Sequence, residues 1–200
     1  MVSYRIRRLP DGDESGRCYH LFDRADQLLL VADQGSPWLP AGDGAQVRFA
    51  RPDGVRVASM DLPSLVGHKP DKKLNYAVIY EHAVYALLTT MDLSSGTGSL
   101  AHAAAEPGKF DRLVIEVEGH KWLGLCWTGG EEGPLLILYD AAAAGLSASV
   151  DPESADLPEP IGLLEVGTGE YDFDLTLPAG RLAQGPLLGL ALVYLIDGPR

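Results

Sequence analysis

The residues best suited to meet an anion lie in one short segment, where Lys69, Lys72 and Lys73 follow His68 and are interrupted by Pro70 and Asp71. Ammonium groups this close together can engage an anionic headgroup, each adding about 1 kcal/mol near a charged membrane surface. They are the candidate ligand-binding residues. Asp71 works against such docking, and a solvated loop between strands accounts for the same composition. His20, His68, His82, His102 and His120 never stand two or four positions apart, so no metal site is expected. Residues 11–14 and 151–156 gather carboxylates but lack the D-x-[DN]-x-[DN]-G register that fixes calcium ligands. Ser95-Gly96-Thr97-Gly98 lacks the G-K-[ST] ending of a phosphate loop, and no G-x-S-x-G elbow presents a serine. These absences predict a non-enzymatic protein with no catalytic residues and no cofactor.

Cys18 and Cys126 are the two thiols, far apart and without C-x-x-C spacing, which fits a reducing compartment. Their apolar and aromatic neighbours predict buried, unreactive side chains. Trp38, Trp122 and Trp127 with Tyr139 either line a groove for a partner or pack a core. On a regular strand Trp122 and Trp127, five apart, point to opposite faces.

The chain that must position these residues has 200 of them, 46% hydrophobic and 22% charged. Such a composition buries a sizeable core within a single domain spanning 1–200. Sixteen Lys and Arg against 28 Asp and Glu leave a net charge of -12. That field repels phosphate backbones, so nucleic acid is excluded as an expected partner. No apolar run follows the arginines of residues 1–10, and a cytoplasmic location is expected. The apolar stretch 186–196 is well short of the ~20 residues a spanning helix needs. A protein or small ligand is the expected partner, with weak lipid contact at most, and no membrane crossing.

Short runs of period-two alternation, closed by Gly, Pro, Asp or Asn, recur along most of the chain and predict antiparallel strands. Runs at 4–8, 18–23 and 27–32 open the series, the last two forming a hairpin across Arg24-Ala25-Asp26. Pro52-Asp53-Gly54 supplies the clearest turn, between a strand that places Val47 and Phe49 on one face and another that does so with Val55 and Val57. Leu113, Ile115 and Val117 alternate with Arg112, Val114, Glu116 and Glu118 before Gly119-His120, and Leu123, Leu125 and Trp127 follow on the return strand. Residues 76–80 and 84–90 read as two more strands, although the second also tolerates a helix. With 134–139, 161–166 and 171–177 the series reaches about twelve strands.

The segment after them decides the architecture. Leu187, Leu188, Leu190, Leu192, Val193, Leu195 and Ile196 are separated only by Gly189, Ala191 and Tyr194. A helix over about 183–196 is therefore apolar on every side and must be enclosed. A closed sheet of eleven or twelve strands leaves room for one helix, and closure removes the sheet's edges. The fold predicted is mostly β: an antiparallel barrel of about twelve strands around a C-terminal helix.

Tyr171 to Leu177, then Pro178, then the run ending Leu192-Val193-Tyr194-Leu195-Ile196-Asp197, resembles the end of the tubby C-terminal, phospholipid scramblase and LURP-one-related families. In those families a last strand leads through a proline-containing link into an apolar helix inside a twelve-stranded barrel, closing near an Asp. The resemblance implies a binding or scaffold domain, in some members one that engages phosphoinositides or other membrane lipids. Proline-rich leaders and cysteine runs of the scramblase kind are absent, and Lys69, Lys72 and Lys73 are the one basic cluster comparable to a tubby-type site.

Overall fold

The computed structural model describes residues 1–9, 17–34, 46–61, 74–91, 112–126, 134–141 and 158–197. Twelve strands fill most of this span. They are β1 (Val2–Leu9), β2 (Cys18–Phe22), β3 (Leu28–Gln34), β4 (Gln46–Ala50), β5 (Arg56–Asp61) and β6 (Leu74–Tyr80), followed by β7 (Ala83–Met91), β8 (Arg112–Val117), β9 (His120–Cys126), β10 (Pro134–Asp140), β11 (Gly162–Val166) and β12 (Phe173–Leu177). One helix, α1 (Gly185–Ile196), ends the described chain. Each strand pairs antiparallel with its sequence neighbours, and β12 pairs with β1 from Val2 opposite Leu177 to Ile6 opposite Phe173, which closes the barrel.

Alternation sets which residues face inward. Tyr4 and Ile6 on β1, Tyr19 and Leu21 on β2, Leu113, Ile115 and Val117 on β8, and Phe173, Leu175 and Leu177 on β12 all join one core cluster. Into that core runs α1, with ten of its twelve residues buried. At about 1.5 Å per residue it spans the barrel from mouth to mouth. Gly189 permits the fit, since a Cβ there would stand 2.5 Å from Leu175 Cδ2. The helix begins two residues later than the sequence implies, because Pro186 in its first turn and the turn at 183–184 set its start.

Two registers differ from the sequence reading. Val55 lies in the turn and is exposed, whereas Ala58 and Met60 are the regular inward residues of β5. The pairing slips between Phe49 and Ala50, whose partners are Ala58 and Arg56, so Val57 is a bulge residue. On β9 the core residue is Trp122, which has no exposed surface, while Leu123 and Leu125 join Tyr139 and Ala141 in a second buried cluster with Val114 and Ile137 packed against it. Strands β8 to β10 thus bury apolar side chains on both faces, so apolar alternation there cannot tell inside from outside. Residues 83–91, which also tolerated a helix, form a strand.

Bulges recur with a pattern. Leu29, Val57 and Tyr85 are each the extra residue near the start of the second strand of a hairpin. Each packs against the main core beside an inward neighbour: Leu30, Ala58 and Ala86. A bulge aims two successive side chains to one side and increases the local twist. The three hairpins β2–β3, β4–β5 and β6–β7 all turn at the same mouth, where α1 begins, which we term the upper mouth. The lower mouth is where α1 ends.

Candidate functional site

At the upper mouth a cleft of about 890 Å³ opens between the β4–β5 and β6–β7 hairpins and the start of α1. Two bulge residues, Leu29 and Val57, line it together with Leu30, Ile79, Pro186 and Leu187. Below Ala58 opposite Tyr80 the strands β5 and β6 are paired, and above that point their hairpins are not. The cleft occupies this separation. A volume of this size falls within the range of small-molecule sites, and its lining mixes apolar side chains with Arg51, Arg56, Ser59, Glu81, His82 and Gln184.

Its polar corner is built from Tyr80, Glu81, Arg51 and Gln184. The Gln184 amide Nε2 donates to the Tyr80 hydroxyl at 3.3 Å. Hydrogen bonding to the Glu81 carboxylate, with burial second, raises the Tyr80 pKa, and Arg51 opposes the shift. Arg51 also lies 4.0 Å from Asp53 across its own turn. Beneath the corner, Tyr80 and Tyr85 meet edge to face at 6.3 Å. The Tyr85 hydroxyl is buried against the Gln184 backbone, and burial, then Glu118, pushes its pKa up while the Gln184 backbone opposes the shift.

The turn that carries the corner is strained. Glu81 and His82 have φ of 48° and 65°, a pair of left-handed residues that two-residue hairpins normally fill with Asn and Gly. Each left-handed residue of this kind costs on the order of 1 kcal/mol. The neighbouring hairpin places Gly119 at the second such position, after Glu118. That Glu118 carboxylate reaches the start of α1, accepting the Ala183 N–H through both oxygens at 3.2 Å. The negative charge complements the positive end of the helix dipole.

Four exposed apolar side chains lie around this mouth. Val55 and Val84 are 47% and 62% exposed, and Met1 and Val2, beside the end of β12, are exposed as well. Among the described large apolar residues, only Val166 is exposed elsewhere.

The opposite mouth is organised around Asp197. The Tyr19 hydroxyl donates to its Oδ2 at 2.7 Å, and an Arg8 guanidinium nitrogen lies 3.3 Å from the same oxygen. Arg17 donates to the Asp197 and Tyr194 carbonyls at 2.7 and 3.2 Å and covers the Tyr194 ring at 4.2 Å. A guanidinium on the last carbonyls caps the negative end of the helix. Burial, then Tyr194, pushes the Tyr76 pKa to about 12. Burial, then the bond to Asp197, raises Tyr19 further.

Of the residues singled out in the sequence, Lys69, Lys72 and Lys73 lie outside the described residues, as do His68, His102, Trp38, Trp127 and the two acidic segments. His82 lines the cleft and is exposed. His20 sits on the outer surface beside Phe22, where burial and then Arg7 lower its pKa. His120 stacks on Trp122 at 6.4 Å. Among the described residues no three His, Cys, Asp or Glu side chains are grouped to hold a metal. Cys18 and Cys126 are not joined in a disulfide and are half-buried, and burial, then Asp33, raises the Cys18 pKa away from thiolate reactivity. No described helix is long and apolar enough to cross a membrane.

Leu29, Val57, Tyr80, Glu81 and Gln184 were not singled out by sequence. The first two need the bulges to become cleft residues, and the others are brought together from two distant segments. Comparison with known proteins finds no matching family model, no matching curated protein and no matching solved structure.

Proposed function

We propose that this chain is a non-enzymatic intracellular binding module, of the kind formed by tubby-like barrels, that takes its ligand in the upper cleft. The cleft itself carries the reading: an opening of about 890 Å³ with an apolar wall, one polar corner and an exposed apolar rim. Of the exposed apolar side chains at this mouth, Val55 lies in the cleft lining itself, where a ligand can cover it. The strained Glu81-His82 turn supports the same location, since a backbone held away from its preferred region is commonly retained for a binding role. The closed barrel around an apolar helix supports the likeness to tubby-like domains. Docking of an anionic headgroup through Lys69, Lys72 and Lys73 draws no support from the described residues.

Titration with the neutral apolar dye Nile red tests the reading. Saturable binding at one site per chain is expected, weakened severalfold by Val55→Asp with the thermal melt unchanged. Absence of saturable binding, or binding indifferent to Val55→Asp, would reject the cleft as the site.

A further inference from the structure

We infer that the upper cleft selects a neutral amphiphile, an apolar chain ending in hydroxyl or amide groups, over an anionic one. This inference rests on the cleft being the binding site, and it follows from where the charges near the cleft are already directed.

An anion entering the cleft would look for three sources of positive potential: the start of α1, Arg51 and Arg56. The helix start is already answered by Glu118, whose two oxygens accept the Ala183 N–H. Pro186 in the first turn has no N–H to offer, and those of Leu187 and Leu188 are directed at the Gln184 carbonyl, at 3.1 and 3.2 Å. Arg51 is flanked by Asp53 at 4.0 Å and faces Tyr80 together with Glu81. The Arg56 guanidinium donates to the neutral Gln46 Oε1 at 3.2 Å, so the two guanidiniums beside the cleft are matched in number by the Asp53 and Glu81 carboxylates and leave no net charge there. The net charge of -12 adds a background that repels anions.

What the corner does present is neutral and able to donate and accept: the Tyr80 hydroxyl and the Gln184 amide, 3.3 Å apart. A hydroxyl or amide head can replace or extend that bond, whereas a carboxylate would meet Glu81 beside it. A cationic head gains nothing from Glu81 that Arg51 and Arg56 do not offset. The apolar wall formed by Leu29, Val57 and Leu187 receives the chain.

The test compares monodecanoylglycerol, decanoate and decyltrimethylammonium, each below its aggregation concentration, with the full chain, by amide chemical-shift titration. Monodecanoylglycerol is expected to bind at least tenfold more tightly than either charged probe. Its shifts should centre on Leu29–Leu30, the 55–59 segment and Tyr80–His82, with little dependence on salt. Tyr80→Phe should weaken monodecanoylglycerol several-fold and leave decanoate unchanged. Decanoate binding equally or more tightly at the same amides, with a loss of affinity in salt, overturns the selectivity while leaving the cleft as the site. No saturable shift at these amides with any of the three probes overturns both.

Discussion

The two mouths of the barrel anchor the same helix with different chemistry. At the lower mouth the groups around the helix end are tied by specific contacts, with Tyr19 and Arg8 on the Asp197 carboxylate and Arg17 on the last carbonyls. At the upper mouth the helix start has a proline, no side-chain cap and an exposed glutamate on the N–H before it. Three bulges lie at that mouth, and the β4–β5 and β6–β7 hairpins are unpaired above Ala58 and Tyr80. Stability and ligand access make opposing demands on a small barrel, and this one separates them by about the length of its helix. The lower mouth fixes the helix, and the upper mouth leaves space.

The contrast is open to direct measurement. The largest effect is expected from Asp197→Ala, which leaves Arg8 and the Tyr19 hydroxyl without their shared acceptor. Losing one partner of a buried ionic contact costs about 3–5 kcal/mol, which denaturant unfolding should register without a change in m-value. A loss below about 1 kcal/mol would mean that the lower anchor is not what fixes the helix.

An intermediate effect is expected from alkali. Tyr76 has a folded pKa of about 12 against an ordinary value of 10.0. Its raised value means that between pH 10 and 12 the unfolded chain releases a proton that the folded chain keeps. Stability is therefore intact below pH 10 and falls as pH rises, by about 3 kcal/mol over this window from this residue alone. Tyr76→Phe should flatten the decline, measured as the unfolding midpoint against pH. An unchanged slope would remove Tyr76 from the account.

The smallest effect belongs to the upper mouth. Glu118→Gln keeps a hydrogen-bond acceptor near Ala183 but removes the charge at the helix start, at a cost under about 1 kcal/mol. If equilibrium unfolding showed Glu118→Gln to be as costly as Asp197→Ala, the two mouths would be equally engaged in holding the helix and the contrast would fail.

Much of this architecture was legible in the residues. Strand β12 follows from Phe173-Leu175-Leu177, because a polar residue stands between each apolar pair and only one face can be buried, and β8 follows from the alternation of Leu113, Ile115 and Val117 despite Val114 between the first two. The helix follows from a run apolar on every side. On β5 the reading slipped by a residue, since Val55 and Val57 obey the same alternation and nothing in the residue types marks a bulge. On β9 both faces are apolar and both are buried, so Trp122 and Leu123 were equally good candidates for the interior. The site was the least legible part. Tyr80 and Gln184 are separated by more than a hundred positions and meet only because α1 enters the mouth that the β6–β7 hairpin borders.

The sequence by itself determined a closed antiparallel sheet around an apolar helix, because period-two burial and an all-apolar helix each leave one way of escaping water. The tertiary structure decided where that barrel opens. Bulges, the pairing partner of each carboxylate and the space left between hairpins depend on how strands meet across the barrel, and local residue patterns carry no record of those meetings.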